Sequence, residues 1–510
     1  MMEKKRKLIG SLDQGTSSTR FLLVDAETGH IVSSSQKEHQ QYFPEPGWVE
    51  HDANEIWTRC KECITETMQQ NSGVNSIDEI VSIGITNQRE TCILWDKETG
   101  IPVCNAIVWN CARTSSIVKE YQDNKLCGDK DALREKTGLP VSTYFSATKM
   151  VWMLRNVAGV RERAERGELC FGTIDSWLIW KLTEGKYHVT DITNAARTLI
   201  CNIHSLQWDP QLLEIFDIPK ALLLPKIEPS IGGDFGTVTG CQPLNGVPIG
   251  AVLGDQHAAL FGQVCFNVGE AKATFGTGAF LMMNTGKLRS STQGLLTTPF
   301  YQRKGEKPVY ALEGAVAVAG SLIQWLRDNL ELGKSAVEIA QLASTVNDAN
   351  GLVIVPAFNG LFAPYWREDA RGVFCGLTFF HTKAHMARAA LDAAAFQSMD
   401  VFNAMVLDSG VPLSEVKVDG GMTANDDLLQ FLADVTNTNV SRPQYLETTA
   451  LGVAYAAGLS SGIYKSLQEI KQLYHTDRIF KSKMDSEERA TLKKNWDKAV
   501  DKSLGWVEGI

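Results

Sequence analysis

No stretch of about twenty apolar residues occurs anywhere in the chain, so nothing in it reads as a membrane-spanning helix. The longest candidate, residues 315–323, is interrupted by Gly320 and Ser321. Excess positive charge is missing too. Against 59 Asp and Glu stand 50 Lys and Arg, a formal net charge of −9, which argues against nucleic acid or an acidic membrane as partner. The 11 cysteines are scattered over 510 residues without the rhythm of a disulfide framework, the usage of reduced thiols. Cys60 and Cys63 have CxxC spacing but fall inside a helical pattern over 54–70, and no second pair follows at zinc distance. His381 and His385 stand at i,i+4 without the glutamate of a metalloprotease motif, which suits a helix start better than a ligand set. Residues 1–7 are basic, and no apolar h-region follows them. They read as a solvated tail rather than a secretory signal, and the cytoplasm is the expected location.

What is present is α/β patterning. Apolar residues make up 44% and charged residues 21%, ordinary for a globular chain whose length allows two large α/β lobes. Short apolar runs at 8–12, 21–25, 80–85 and 247–253 alternate with helical patterns at 54–70 and 146–156. The pattern restarts near residue 267, with strands expected at 270–275, 279–283, 310–312, 352–355 and 416–418. Helices are expected at 315–326, 383–409, 426–435 and from 447. Gly452 and Gly458 in the last of these suggest close helix approach.

Three turns carry candidate chemistry. The first is Asp13-Gln14-Gly15-Thr16-Ser17-Ser18-Thr19-Arg20, joining the first two strands. Gly15 lets the backbone approach a ligand, exposed amides and hydroxyls suit phosphate oxygens, and Asp13 offers a hard oxygen ligand to Mg²⁺, direct or through water. The second is Gly276-Thr277-Gly278, again between two strands. The third is Asp419-Gly420-Gly421-Met422-Thr423-Ala424-Asn425, where a strand passes through a Gly pair into a helix and aims amides and dipole at a ligand. Each alone is equally an ordinary hairpin or a well-capped loop, since Thr423 and Asn425 both cap well. The repeat of a strand, a Gly-Thr turn and a strand in each half suggests two related domains that share one nucleotide.

These elements, in this order, resemble the nucleotide site of actin, hexokinase and the heat-shock chaperone ATPases. Within that superfamily the chain resembles the FGGY family of carbohydrate kinases. Tyr144-Phe145-Ser146-Ala147-Thr148-Lys149-Met150-Val151-Trp152-Met153-Leu154-Arg155-Asn156 matches the family's first signature, and the stretch from Gly420 through the following helix resembles its second. The resemblance extends over residues 8–506. It includes Gly84-Ile85-Thr86-Asn87-Gln88-Arg89-Glu90-Thr91, Gly254-Asp255-Gln256 and Pro356-Ala357-Phe358. Ala112, His257, Ala273 and Phe275 depart from residues usual in the family.

The resemblance implies an α/β fold of two ribonuclease H-like (actin-like ATPase) lobes with a nucleotide cleft between them. Residues 1–264 would carry the acceptor site and first phosphate loop, and 265–510 the second phosphate loop and adenine site. It implies ATP-dependent phosphorylation of glycerol to sn-glycerol 3-phosphate, with Mg²⁺. Asp255 would be the general base, Arg89, Glu90 and Gln256 would grip the hydroxyls, and Trp109, Tyr144 and Phe280 would wall the carbon chain. Thr16, Ser17, Ser18, Arg20 and Thr277 would meet the phosphates, Gly320 and Gln324 the nucleotide's flank, and Gly421 and Asn425 the adenine. Homodimers or homotetramers are what such relatives form. Two alternatives remain, another sugar or polyol kinase of this family and a non-catalytic actin-like ATPase.

Overall fold

A computed structural model describes residues 6–70 and 77–507, so most of the basic N-terminal tail lies outside the described residues. By packing, the chain forms two compact units. One comprises Met1–Val264, Thr297–Tyr310 and Glu447–Tyr474, and the other Cys265–Leu296, Ala311–Leu446 and His475–Ile510. A single cut after residue 264 leaves Thr297–Tyr310 and Glu447–Tyr474 in the second lobe; their contacts place them in the first.

The first unit is built on β1 (Leu8–Gln14), β2 (Ser18–Asp25), β3 (Ile31–Glu38), β4 (Ile80–Asn87) and β5 (Ile249–Gly254), in the order β5-β4-β1-β2-β3. β1, β2 and β3 form an antiparallel meander, while β4 runs parallel to β1 and β5 parallel to β4. Both faces are covered, which is why β1 is almost wholly buried. Leu8 and Leu12 belong to a core that includes Ala53, Ile56, Cys60 and Ile64 of the helix Ala53–Gln69. On the opposite face Ser11 Oγ donates to the carbonyl of Ala450, in the helix Thr448–Ser460, at 2.7 Å. This helix meets the helix Asp255–Gly262 backbone to backbone. A Cβ on Gly452 would lie 1.9 Å from the Ala258 oxygen, and one on Gly262 1.9 Å from that of Thr448. Glycine is required at both positions, because neither carbonyl has room to yield.

The second unit repeats the plan. β6 (Glu270–Phe275), β7 (Ala279–Gly286), β8 (Val309–Val316), β9 (Glu415–Asp419), β10 (Val440–Pro443) and β11 (Thr476–Phe480) lie in the order β8-β7-β6-β9-β10-β11. β6 and β7 are an antiparallel hairpin, β9 is parallel to β6, and β10 parallel to β9. The helix Lys383–Ser409 is buried nearly all round rather than along one stripe. Its Phe396 packs edge-on against Phe431, with ring centroids 5.2 Å apart, and stacks on Trp496 at 5.1 Å. The helix expected over 315–326 is corrected here. β8 continues through Val316, and the helix is Gly320–Asp328. The apolar run 315–319 crosses the strand end and reaches the helix start with no period that marks the join.

Candidate active site

In the first unit, β5 ends at Gly254 and the helix Asp255–Gly262 starts at once, so Asp255 is its first residue. Asp255 Oδ1 accepts the Gln256 amide at 2.7 Å and lies 3.2 Å from Arg89 Nε. A Cβ on Gly254 would strike the Arg89 side chain at 2.7 Å, so glycine there lets the guanidinium lie across the strand end. The junction is held from below. The Gly254 amide donates to Thr193 Oγ1 at 2.9 Å, and Thr193 in turn donates to Asp191. Asn194 Nδ2 donates to the same carboxylate oxygen, and Asn194 Oδ1 accepts from Asn87 at the end of β4. Burial pushes the Asp191 carboxyl above the usual carboxylate range, against its hydrogen bonds to Ser230, Thr193 and Asn194.

Arg89 and Glu90 are not an exposed ion pair. Both are buried, and Glu90 adopts φ 61°, an uncommon conformation for a side-chain-bearing residue of the kind found at functional sites. Its carboxylate is held by Arg197, whose Nε lies 2.5 Å away, with side-chain exposures of 0% for Arg197 and 2% for Glu90. The Arg197 guanidinium sits 5.6 Å from the Tyr144 ring centroid and 5.3 Å from that of Phe145. Trp109 and Tyr144 meet edge-on with centroids 5.5 Å apart. The loop of Tyr144 is fixed by Lys149, a buried ammonium donating to the Thr143 and Tyr144 carbonyls at 2.5 and 2.7 Å. Burial pulls the pKa of Lys149 down to about 8. Arg89, Glu90, Trp109, Tyr144 and Asp255 thus belong to one unit, with Gln256 next on the helix. Phe280 lies in the second unit, opposite Thr274 on β7. Arg197 and Lys149 brace this cluster, and sequence reasoning assigned neither a role. A lone Arg in the apolar run 195–200 was the available signal for the first.

Gly15, Thr16 and Ser17 form the turn between β1 and β2. Ser18 and Arg20 are already in β2, and Asp13 pairs with Arg20 across the register. Arg20 Nη2 donates to Gln36 Oε1 at 2.7 Å, and Gln36 Nε2 donates to Ser18 Oγ at 2.9 Å. Asp13 is pushed up to about 6 by burial, with Arg20 opposing and the charge of Asp255 adding. The Asp13 carboxylate is a hard oxygen donor near the end of β1, which fits a divalent cation such as Mg²⁺. Trp109 Nε1 donates to Thr16 Oγ1 at 2.9 Å.

In the second unit the Gly276 and Thr277 carbonyls accept the Gly320 and Ala319 amides, each at 3.0 Å, and Thr277 also accepts that of Ser321. Gln324 is exposed on the same helix. Gly421 opens a short turn, and a Cβ there would meet nothing within 4 Å. Asn425 caps the helix Asp426–Thr436 by accepting the Leu428 amide at 3.0 Å. Arg442, also missed, braces this turn by donating to the Thr423 carbonyl at 2.8 Å. The remaining motifs find structural uses. Cys63 donates to the Thr19 carbonyl at 3.3 Å, His385 caps the helix Lys383–Ser409, and His257 is buried with Nε2 3.1 Å from Thr298 Oγ1.

Two units that each raise a Gly-Thr hairpin turn from a sheet of the same strand order have the architecture of the actin-like ATPases. Residues 8–262 match the N-terminal domain of the FGGY family of carbohydrate kinases, and residues 271–461 match its C-terminal domain. The chain belongs to this family. A glycerol kinase of Brucella anthropi is 50% identical over 506 residues, spanning 98% of this chain and 100% of its own length. The crystal structure of Plasmodium falciparum glycerol kinase with ADP superposes with a TM-score of 0.92 at 39% identity, covering 98% of each chain. A gluconate kinase from Lactobacillus acidophilus shares the fold at a TM-score of 0.86 and 24% identity, covering 97% of each chain.

Proposed function

We propose that this chain transfers the γ-phosphoryl group of ATP to a terminal hydroxyl of glycerol, giving sn-glycerol 3-phosphate and ADP. The observation that carries this reading is the pairing of Asp255 with Arg89 at the first turn of a helix, beside the buried Glu90–Arg197 pair. Full-length relatives named glycerol kinase supply the acceptor.

Phosphoryl transfer demands positioning, charge neutralisation and a proton sink more than covalent help. Arg89 and Glu90 offer a donor and an acceptor to neighbouring hydroxyls, while Trp109 and Tyr144 shape an apolar wall suited to a short carbon chain. Asp255 takes the proton of the attacking hydroxyl as its oxygen bonds to the γ-phosphorus. The bond from that phosphorus to the bridging oxygen breaks, and the electron pair leaves on ADP. Arg89 orients the Asp255 carboxylate for this task. Thr16, Ser17, Ser18, Arg20 and Thr277 are the phosphate donors, Gly320 and Gln324 flank the nucleotide, and Gly421 and Asn425 border the adenine. Gln256 and Phe280 complete the acceptor contacts. Mg²⁺ would be held by Asp13, direct or through water, and supplies neutralisation of phosphate charge when bound.

The test is ADP release measured with glycerol, dihydroxyacetone, xylulose, gluconate and no acceptor. The expected result is the highest kcat/KM with glycerol. A higher value with xylulose or gluconate would assign another carbohydrate kinase activity, and equal turnover without acceptor would assign an ATPase.

A further inference from the structure

The first glycine turn has its carbonyls turned inward and occupied. Gly15 O accepts Gln14 Nε2 at 2.7 Å and Gln88 Nε2 at 3.1 Å, Thr16 O accepts Gln41 Nε2 at 2.9 Å, and Ser17 O accepts the His39 amide at 3.2 Å. His51 ties two of these supports together, with Nε2 2.8 Å from Gln41 Oε1 and Nδ1 3.3 Å from Gln88 Nε2. Burial drops the His51 pKa to about 3, with His39 adding, so this ring stays neutral and can accept on one nitrogen while donating on the other. The turn backbone is thereby held, which leaves the direction of the Thr16 hydroxyl proton to settle.

Trp109 settles it. An indole N–H donates only, so the Thr16 oxygen must be the acceptor of their 2.9 Å bond. A hydroxyl that accepts from a fixed donor aims its own proton elsewhere. With each carbonyl of the turn already accepting a hydrogen bond, that proton is available to an anionic oxygen supplied by a ligand. The same indole stands edge-on to Tyr144.

We propose that Trp109 is a positioning residue for the nucleotide as well as a wall for the acceptor, presetting Thr16 to donate to a phosphate oxygen. This rests on the function proposed above and deepens it. The acceptor wall and the phosphate turn form one hydrogen-bonded piece, so what seats glycerol also arms the turn.

The experiment is a double-mutant cycle on affinity for a non-hydrolysable ATP analogue, measured calorimetrically without acceptor, using Trp109→Phe, Thr16→Val and both together. Each single change is expected to weaken binding about fivefold to tenfold, the scale of one hydrogen bond, and the double no more than either single. Trp109→His, which keeps a ring N–H, should recover part of the loss, and Thr16→Ser most of it. Wild-type affinity in Trp109→Phe, or a double loss equal to the product of the single losses, would overturn the proposal. Unchanged affinity in Thr16→Val would do so whether or not the tryptophan variants fold. Wild-type turnover of glycerol is read on the same preparation. Its absence beside an intact cycle would count against the acceptor assignment alone, and its presence beside an additive cycle against this inference alone.

Discussion

In the first unit the turn Gly15–Ser17 is held by side chains that reach it from distant parts of the chain, namely Gln41, Gln88 and Trp109. In the second unit the turn of Gly276, Thr277 and Gly278 is held by the consecutive backbone amides of Ala319, Gly320 and Ser321. The two hairpins share a Gly-Thr turn yet reach rigidity by different routes, the first mainly through side chains and the second mainly through backbone amides joined by Ser321 Oγ. A side-chain scaffold can be altered one hydrogen bond at a time, and it links the turn to whatever else those side chains touch. A backbone scaffold is indifferent to most side chains and intolerant of one extra methyl group. The proposed acceptor residues Arg89, Glu90 and Asp255 all lie in the unit built by side chains, where their geometry depends on named partners.

The strongest test of that asymmetry is Asp255→Asn, which keeps the shape of the first unit's site and removes its proposed proton sink. It is expected to lower kcat by at least about 10²-fold, with affinity for ATP analogues unchanged. Steady-state kinetics beside calorimetry checks this, and a near-native kcat would take Asp255 out of the mechanism. Comparable in size, but felt in stability, is the effect of Arg197→Met. Removing one partner of a buried ion pair typically costs about 3–5 kcal/mol. The first transition in urea denaturation should shift accordingly, and adding Glu90→Gln to the same chain should restore part of the loss.

The elements of both units were legible where a single period runs between clear stops. The helices at 146–156 and 383–409 and both Gly-Thr hairpins stand where apolar spacing and glycines put them. Legibility failed where the deciding partner is remote in the chain. Nothing local in Glu447–Tyr474 says that it returns to the first unit; that assignment rests on Gly452 and Gly262 meeting Ala258 and Thr448. For the site, the motifs flagged Arg89, Glu90 and Asp255 but not what positions them, because Arg197 and Thr193 act across long sequence separations. Trp109 was read for its ring, while the indole N–H, which touches Thr16, carried the unread information.

Gly320 illustrates the same limit and supplies the third test. Expected to keep a helix face clear for a nucleotide, it also has a reason within the protein, since a Cβ there would lie 2.5 Å from the Gly276 oxygen. Gly320→Ala is therefore expected to destabilise the ligand-free second unit by about 1–3 kcal/mol through overpacking against backbone. At Gly15 the nearest atom to an added Cβ is Ser18 O at 3.4 Å. Gly15→Ala should thus stay within about 0.5 kcal/mol of wild type. Thermal unfolding of the two variants without nucleotide reads the contrast directly. Equal losses would erase the distinction between the two scaffolds.

A smaller effect than that of Gly320→Ala is expected from Gln41→Ala, and it sharpens the comparison most finely. Gln41 donates to Thr16 O and accepts from His51, so its removal deletes one support of the first turn and leaves those of Gln88, Gln14 and Trp109 in place. The expected stability loss is about 0.5–1.5 kcal/mol, one net hydrogen bond. A fall of severalfold in ATP-analogue affinity should accompany it, because the Thr16 carbonyl is then free to turn toward the ligand side, where it repels phosphate. A turn held redundantly would lose stability without losing affinity. A turn whose every support serves the ligand would lose both in proportion, and that proportionality across Gln41→Ala, Thr16→Val and Trp109→Phe is what a side-chain-built phosphate site requires.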